Sequence, residues 1–239
     1  MEAWVEGLLI GRVKKVDDPE AEKPGNRSWK SGMFKEESNH RILLEKAGLQ
    51  GDEVADKKNH GGPEKAVFAY PCDHYGYWES ELDLYYGMKP GAMGENLAVK
   101  GLDETSVCIG DIFELGEADV QVSQPRKPCW KPGRRFGRKD FAWRIQETGR
   151  TGWYFRVLQE GRVGSGDSLA LRERPHPKWS IAVCNELMYA KEPDRGLLEE
   201  LASCPLLADM WKLPLVKKLK KRQQSEVLQV GVPLNFNIH

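Results

Sequence analysis

The feature that most constrains the fold is a series of short apolar runs, each ended by glycine or by a charge cluster, that fills the first 172 residues. The runs are GLLIGRVKKV, KAVFAY, DIFELG, DVQVSQ, WYFRVLQEG and SLALRE. Their length and β-branched composition are typical of strands. A Gly-Asp turn begins two of them, in IGDIFEL at 109–115 and SGDSLAL at 165–171. The pattern predicts an antiparallel barrel or sandwich whose strands start from similar turns.

Two helices are predicted within this β-rich part, at 72–84 and 139–148. The apolar residues that define them are Tyr75, Trp78 and Leu82 in the first and Phe141, Trp143 and Ile145 in the second. The pattern changes at RERPHPK, 172–178, where two prolines in a polar stretch indicate a linker. Beyond the linker the apolar residues follow helical spacing.

Three short amphipathic helices are predicted after the linker, in SIAVCNELMY, DRGLLEELAS and LLADMWKLPLVKKLKKR, the last interrupted or restarted at Pro214. The basic run KKLKKR, 217–222, is interpreted as the solvated end of a helix. The expected fold is mainly β (α+β). A β-barrel-like domain at 1–175 is followed by a three-helix domain at 176–225 and a tail at 226–239.

Composition excludes several classes of protein. The chain has 36 basic and 36 acidic residues, so its net charge gives no reason to expect nucleic-acid binding. No apolar run is long enough for a membrane span, and the first residues lack the order of a signal peptide. Five cysteines without a CxxC pair argue against a disulfide framework, structural zinc or an iron–sulfur cluster. We expect a soluble, cytoplasmic protein.

One stretch departs from this neutral background. QPRKPCWKPGRRFGRK, 124–139, places seven basic side chains and no acid around Cys129. Arg and Lys side chains stabilise a nearby thiolate, and the prolines restrict the shape of the loop. A shaped cationic loop that presents a thiolate suits a nucleophile or a soft metal ligand. The alternative is a solvated basic loop with an incidental cysteine.

Three further stretches have compositions that secondary structure alone does not explain: WKSGMFK at 29–35, NHGGPEKAV at 59–67 and GAMGENL at 91–97. Lys30 and Ser31 offer an ammonium and a hydroxyl to an anion. Paired glycines after His60 let backbone N–H groups approach a ligand closely. Glu95 and Asn96 supply hydrogen-bonding groups suited to the edge of a heterocycle. Each stretch alone is equally compatible with an ordinary turn.

Together and in this order, the four stretches resemble the MOSC domain, the C-terminal domain of molybdenum-cofactor sulfurases. The resemblance is to its stand-alone bacterial YiiM-type members, which carry a three-helix extension, and it covers about residues 5–225. It implies a β-rich barrel that binds the molybdenum cofactor, a pterin with a dithiolene and a phosphate. It also implies that Cys129 is a ligand of molybdenum, which makes Cys129 the catalytic and the metal-binding candidate.

The resemblance implies roles for the other candidates as well. Lys30 and Ser31 align with cofactor-contacting residues of the family. The expected cofactor-binding set is Lys30, Ser31, His60, Gly61, Gly62, Glu95, Asn96, Arg126, Lys127 and Arg134. Within it, the cations beside Cys129 offset the anionic charge of the cofactor, and the phosphate is anchored by Lys30 with Arg134 or Arg135.

The implied reaction is the two-electron reduction of N-hydroxylated compounds such as 6-N-hydroxylaminopurine, with electrons from a separate flavin or iron–sulfur protein. Two alternatives stay open: sulfur transfer through a persulfide on Cys129, and a carrier that only delivers the cofactor. No nucleic-acid or membrane partner is expected. The helical extension is expected to cover an edge of the barrel, to close a homodimer, or to bind the electron donor.

Overall fold

The computed structural model describes residues 2–17, 28–84 and 87–230, with side chains up to Arg222. It is an α+β fold, as the sequence predicts. The strands are β1 Trp4–Ile10, β2 Lys14–Asp17, β3 Ser28–Ser31, β4 Glu36–Glu37, β5 Ile42–Glu45, β6 Gly48–Leu49, β7 Val67–Pro71, β8 Leu97–Lys100, β9 Ile112–Leu115, β10 Ala118–Pro125, β11 Trp153–Gln159, β12 Gly161–Val163 and β13 Leu169–Glu173. The helices are α1 Lys57–His60, α2 His74–Leu82, α3 Trp130–Arg135, α4 Phe141–Thr148, α5 Ile181–Tyr189, α6 Arg195–Ala202 and α7 Asp209–Val230, with a 3₁₀ turn at Pro63–Lys65.

The largest sheet has eight strands in the order β13-β9-β10-β11-β7-β8-β1-β4. All neighbouring strands in it are antiparallel except β7 and β8. The sheet curls until β1 meets the chain just before β13. There Val5 N donates to Asp167 O (2.9 Å) and Leu169 N donates to Ala3 O (2.8 Å). These bonds give the sheet its barrel-like form.

The two Gly-Asp turns use one local device. Gly110 and Gly166 both have φ near +85°, which glycine adopts without strain. Asp111 then accepts from Cys108 N (2.9 Å), and Asp167 accepts from Gly164 N (2.8 Å). The strands that follow, β9 and β13, pair with each other. The repeated turn therefore places two neighbouring strands in register.

The core has two parts. The larger is continuous from the inside of the curled sheet to α5, α6 and α7, so the helical region shares its core with the sheet. The smaller is aromatic and packs α2 and α4 against β7. Phe141 and Ile145 of α4 are buried there, as expected, but Trp143 is 58% exposed. Since residues four apart share a helix face and residues two apart do not, Trp143 lies on the opposite face.

Three helices follow the linker, as predicted. Ser180 and Asp194 cap α5 and α6 by accepting from Val183 N (3.2 Å) and Leu197 N (2.8 Å). The break predicted at Pro214 is wrong, because α7 continues through it. Proline removes one backbone bond there, but buried Trp211 and Leu215 hold the first turns against the core.

The interpretation of KKLKKR as a solvated helix end also needs correction. The run lies within α7, and Lys218 Nζ donates to Met188 O (2.9 Å) and Ala190 O (2.6 Å) at the C-terminal end of α5. Lys218 thus satisfies carbonyls that helix α5 leaves without an internal partner. The expected tail begins inside α7, and its residues 231–239 lie outside the described part. Within that part, no helix combines the length and apolar character that crossing a bilayer requires.

Candidate functional site

The four stretches singled out in the sequence meet at one cavity of about 120 Å³. Each of them contributes to its wall. The first gives Ser31, Gly32, Met33 and Lys35; the second His60, Gly61, Lys65 and Ala66; the third Met93, Gly94 and Asn96; the fourth Arg126, Cys129, Lys131 and Pro132. Asp52, Glu53 and the rings of Phe68 and Tyr154 also line it. Four cations therefore face two carboxylates.

Cys129 and Arg126 form the centre of this site. The chain leaves β10 at Pro125, and Arg126 N is held by Gly152 O (3.0 Å). Cys129 is half-buried and immediately precedes α3. The Arg126 side chain folds back so that Nη2 lies 3.9 Å from Cys129 Sγ, with its guanidinium over the Phe68 ring. A cationic donor is thereby fixed beside the thiol.

Arg126 is only 3% exposed, and its Nη1 is buried with no hydrogen-bond partner among the described residues. Leaving a charged donor buried and unpaired costs several kilocalories per mole relative to a paired one. An anion bound in the cavity would remove that cost. The arrangement is therefore one that an anionic ligand stabilises.

A buried network holds the opposite wall. Lys35 Nζ contacts Asp52 Oδ2 at 2.6 Å, and Asn96 Nδ2 donates to the same oxygen at 2.8 Å. Burial lowers the pKa of Lys35, and the Asp52 carboxylate opposes that shift. Asn96 also accepts from Phe68 N (3.2 Å) and donates to Leu9 O (3.2 Å). Its amide groups are thus used in joining three segments of the chain.

Two further residues of the second stretch are perturbed by this environment. Burial, followed by the charges of Arg126 and Lys131, lowers the pKa of His60 to about 4. The imidazole is therefore neutral near pH 7. Burial also lowers the pKa of Lys65, whose Nζ donates to Asn59 O (2.6 Å). The cavity thus combines a neutral imidazole with a partly desolvated ammonium group.

Five predicted residues do not line the cavity: Lys30, Gly62, Glu95, Lys127 and Arg134. Strand alternation explains the first, because β3 buries Ser31 and turns Lys30 to the exposed face. Gly62 has a φ of +98° and open space around it, so it serves the turn. Lys127 is exposed. Arg134 lies against the rings of Trp29 and Trp130.

Glu95 is fully buried and holds its own loop. It accepts from Gly91 N (2.8 Å), from Met93 N (2.9 Å) and from the hydroxyl of Tyr75. Burial raises the pKa of Glu95. All of these contacts are internal to the protein, so Glu95 shapes the GAMGEN loop behind the cavity wall.

Sequence reasoning missed Lys35, Asp52, Lys65 and Lys131. The stretches singled out in the sequence contain Lys35, Lys65 and Lys131, but their composition does not tell which of their cations reach the cavity. Asp52 contacts a lysine 17 residues earlier, and nothing in the local pattern marks such a pair. Lys65 follows the paired glycines of the second stretch by three residues and is part of the cavity wall.

A second cavity, of about 500 Å³, lies between the end of α4 and helix α5 and is called the junction cavity below. Its lining includes Asp103, Glu104, Glu147 and Glu186 against Arg150, with His74, Asn185 and Tyr189. Glu104 is bound to His74 Nε2 and to Gly152 N, both at 2.7 Å. Arg150 Nε, Asn185 Oδ1 and Tyr189 Oη are buried without partners among the described residues.

Comparison with known families matches most of the chain. A family model described as the MOSC domain matches residues 56–170, and one described as the YiiM-like, 3-alpha helix domain matches residues 179–222. A crystal structure of YiiM from Geobacillus stearothermophilus superposes with a TM-score of 0.75 at 33% identity. The match covers 91% of this chain and 99% of that one.

Two curated relatives extend this result. YflK of Bacillus subtilis, an uncharacterised protein, is 43% identical over 188 residues, which are 79% of this chain and 84% of YflK. A Gibberella moniliformis protein named "Reductase" is 40% identical over 182 residues, 74% of this chain. That match covers only 32% of the Gibberella protein, so two thirds of it lie outside the similarity.

Proposed function

Because the chain belongs to the MOSC family and carries the YiiM-like helical region, we propose that it binds the molybdenum cofactor beside Cys129 and reduces N-hydroxylated compounds with it. The family's general association with that cofactor supports the cofactor. The relative named as a reductase supports an oxidoreductase. The residue assignments rest on the geometry of the cavity.

The single observation that carries the proposal is the unpaired, buried Nη1 of Arg126 next to the Cys129 thiol. A pterin dithiolene with a phosphate is anionic, and a soft metal takes thiolate ligands. Such a group would accept a hydrogen bond from Arg126 Nη1 and bind the Cys129 sulfur at the same time. Of the groups that line the cavity, the unpaired nitrogen of Arg126 and the thiol of Cys129 together best match the negative charge and the metal of the cofactor.

Each residue then has a defined task. Cys129 Sγ is the protein's ligand to the metal, and Arg126 balances the negative charge that the thiolate and the dithiolene bring together. Lys65 and Lys131 add positive charge to the same wall, while Asp52 keeps Lys35 paired and in place. Phe68 and Tyr154 exclude water and so strengthen these charge interactions.

When bound, the cofactor supplies two electrons to an N–OH group, which takes up two protons and becomes N–H while the oxygen leaves as water. A compound such as 6-N-hydroxylaminopurine is the proposed substrate. The electrons come from a separate protein in this proposal.

Molybdenum content tests the proposal. The wild type and the Cys129→Ala variant are produced in a host that makes the cofactor, and metal per chain is measured by elemental analysis. Cys72→Ala is the matched control, because Cys72 is also a half-buried free thiol but does not line the cavity. We expect metal in the wild type and the control and little in Cys129→Ala. Equal metal in all three would contradict the ligand assignment.

The same samples discriminate between the alternatives. Metal in the wild type without reduction of any N-hydroxylated compound, even with a competent donor, favours a carrier. Sulfur transfer is favoured by the position of Arg126 Nη2, which would also stabilise a persulfide anion on Cys129. A reductant-sensitive mass increase of about 32 Da on Cys129, with no metal, identifies that chemistry.

A further inference from the structure

An exposed aromatic surface stands beside the cavity. Trp130 directly follows Cys129 and is the first residue of helix α3. Its side chain is 53% exposed. Leaving so much of an indole in water forgoes the stabilisation that burial would give. Its neighbours Cys129, Lys131 and Pro132 all line the cavity. The indole is therefore at the rim of the site.

The indole is held in place from behind. The Trp29 ring, which is largely buried, meets it edge-on with a centroid distance of 5.3 Å and an interplanar angle of 64°. The Arg134 guanidinium lies 5.2 Å from the Trp130 ring and 5.9 Å from the Trp29 ring. Trp29 is fixed in turn by Phe34 at 5.9 Å. These contacts restrain the ring while leaving about half of its surface open.

Such a restrained and open indole suits a flat heteroaromatic ring. Aromatic side chains bind bases by stacking because every base has a π-face. A preorganised ring loses little conformational entropy when it binds. Trp143 of helix α4 shows the contrast. It is equally exposed, and neither indole is part of the cavity lining itself, but the chain neighbours of Trp130 line the cavity and those of Trp143 do not. No aromatic ring contacts Trp143 among the described residues.

We propose that Trp130, supported by Trp29 and Arg134, is a stacking subsite for the ring of the substrate. Its ligand is the flat ring of a substrate such as the 6-N-hydroxylaminopurine named above. This inference rests on the proposed function. Trp130 acts as a specificity-determining residue, because it contacts the ring and leaves the reacting N–OH group to the cavity.

Two substrates test the inference in the loaded protein. 6-N-hydroxylaminopurine has a ring and N-hydroxyurea has none, so only the first gains from stacking. We expect Trp130→Ala to raise KM for the purine about tenfold and to leave KM for N-hydroxyurea unchanged. Trp130→Phe keeps a ring and should restore most of the purine KM. Trp143→Ala is the control for loss of an exposed indole and should match the wild type for both substrates.

Equal changes in KM for the two substrates, or no change for the purine, would overturn the subsite. So would a Trp130→Ala variant whose only defect is a higher KM for the electron-donor protein, since that assigns the indole to a protein partner. Molybdenum content is measured first in every variant and should not change.

A binding experiment separates this inference from the proposed function. Adenine, the product of reducing 6-N-hydroxylaminopurine, is titrated into wild type, Trp130→Ala and Trp143→Ala by calorimetry, without turnover. Weaker binding of adenine to Trp130→Ala alone supports the subsite. Equal binding to all three overturns it. Failure of the wild type to reduce either N-hydroxylated compound, with normal adenine discrimination, would overturn the proposed reaction and leave the stacking subsite in place.

Discussion

The cavity beside Cys129 and the junction cavity both contain an arginine with a buried nitrogen that has no partner in the described part of the chain, yet the charges around the two arginines are opposite. The first has four cations, including Arg126, against two carboxylates. The second has four carboxylates against Arg150 and His74, and it contains no thiol. The second is also about four times larger, at about 500 Å³ against about 120 Å³. The site proposed for the cofactor is therefore the smaller of the two cavities.

The polar groups of the two cavities have different partners. In the junction cavity, the Glu104 carboxylate is hydrogen-bonded to His74 Nε2 and to Gly152 N. Asp103 holds its own turn by accepting from Thr105 N (2.9 Å) and Ser106 N (3.0 Å). These carboxylates hold the turn at 103–106 and join it to His74 at the start of α2 and to Gly152 just before β11. Around Cys129, by contrast, positive charges outnumber negative ones, and Arg126 Nη1 has no partner among the described residues although it lies beside a thiol.

The largest expected effect comes from the buried ion pair of the cysteine cavity. Asp52→Asn leaves Lys35 buried without its counter-ion, so we expect the free energy of unfolding to fall by about 3–5 kcal/mol. Glu104→Gln in the junction cavity should cost less, because the amide can still hydrogen-bond to His74 Nε2 or to Gly152 N. Urea denaturation at pH 8 measures both. A larger loss in Glu104→Gln would break the comparison.

Acid should reveal the burial of His60 and the cations around it. Its folded-state pKa of about 4 lies below the ordinary 6.5, so the folded protein binds fewer protons than the unfolded chain between these values. Stability is therefore complete above pH 6.5 and falls as pH drops toward 4, by up to about 3 kcal/mol from this group.

His60→Asn should reduce that loss, as seen by urea denaturation at pH 7 and pH 4.5. His40→Gln, at an exposed position, is the control and should lose stability like the wild type. Identical losses in His60→Asn and wild type would show that His60 does not sense the cations of the cavity. A bound anion should raise the His60 pKa, which NMR titration of its ring protons can follow.

Substitutions of Arg126 and Arg150 test whether the unpaired arginine of each cavity binds the cofactor. Arg126→Gln should lower cofactor affinity by about tenfold to a hundredfold, since hydrogen bonds to charged groups contribute about 1.5–3 kcal/mol. The cofactor-free variant should be at least as stable as the wild type, because an unpaired buried charge is removed. Arg150→Gln should keep full molybdenum content. Equal loss of metal in both variants would contradict distinct roles for the two cavities.

The smallest effect is expected at Tyr189, whose hydroxyl is buried in the junction cavity and has no hydrogen-bond partner among the residues that the structure describes. Burial raises the pKa of this hydroxyl to about 12, so it is neutral at any working pH. Tyr189→Phe should change the free energy of unfolding by less than about 1 kcal/mol and leave the molybdenum content unchanged. A loss of metal in Tyr189→Phe would mean that the junction cavity takes part in holding the cofactor.

Local patterns predicted much of this molecule. Gly-Asp turns, apolar runs and capped helices are encoded by neighbouring residues, and the helices α2, α4, α5 and α6 lie where periodicity placed them. The four stretches that meet at the cavity were also visible, because glycine, proline and clustered charge mark turns and sites. The predictions at Trp143 and Pro214 were wrong. Which face of a short helix is buried, and whether a helix continues through a proline, depend on packing against distant parts of the chain.

The charge network could not be predicted in the same way. Lys30 and Lys35 lie in one short stretch, and only the direction in which the strand and its loop turn decides which reaches the cavity. Asp52 and the carbonyls that Lys218 caps are distant in sequence from their partners. Such contacts follow from how the sheet curls and where α7 packs, which no local window contains.

Molybdenum K-edge X-ray absorption on the loaded wild type and Cys129→Ser counts the sulfur atoms bound to the metal and so tests whether Cys129 is a ligand. The dithiolene contributes two sulfur ligands, and Cys129 is assigned as the third. The account predicts three sulfur neighbours around molybdenum in the wild type and two in any metal retained by Cys129→Ser. The same sulfur number in both proteins would contradict the claim that Cys129 binds the metal.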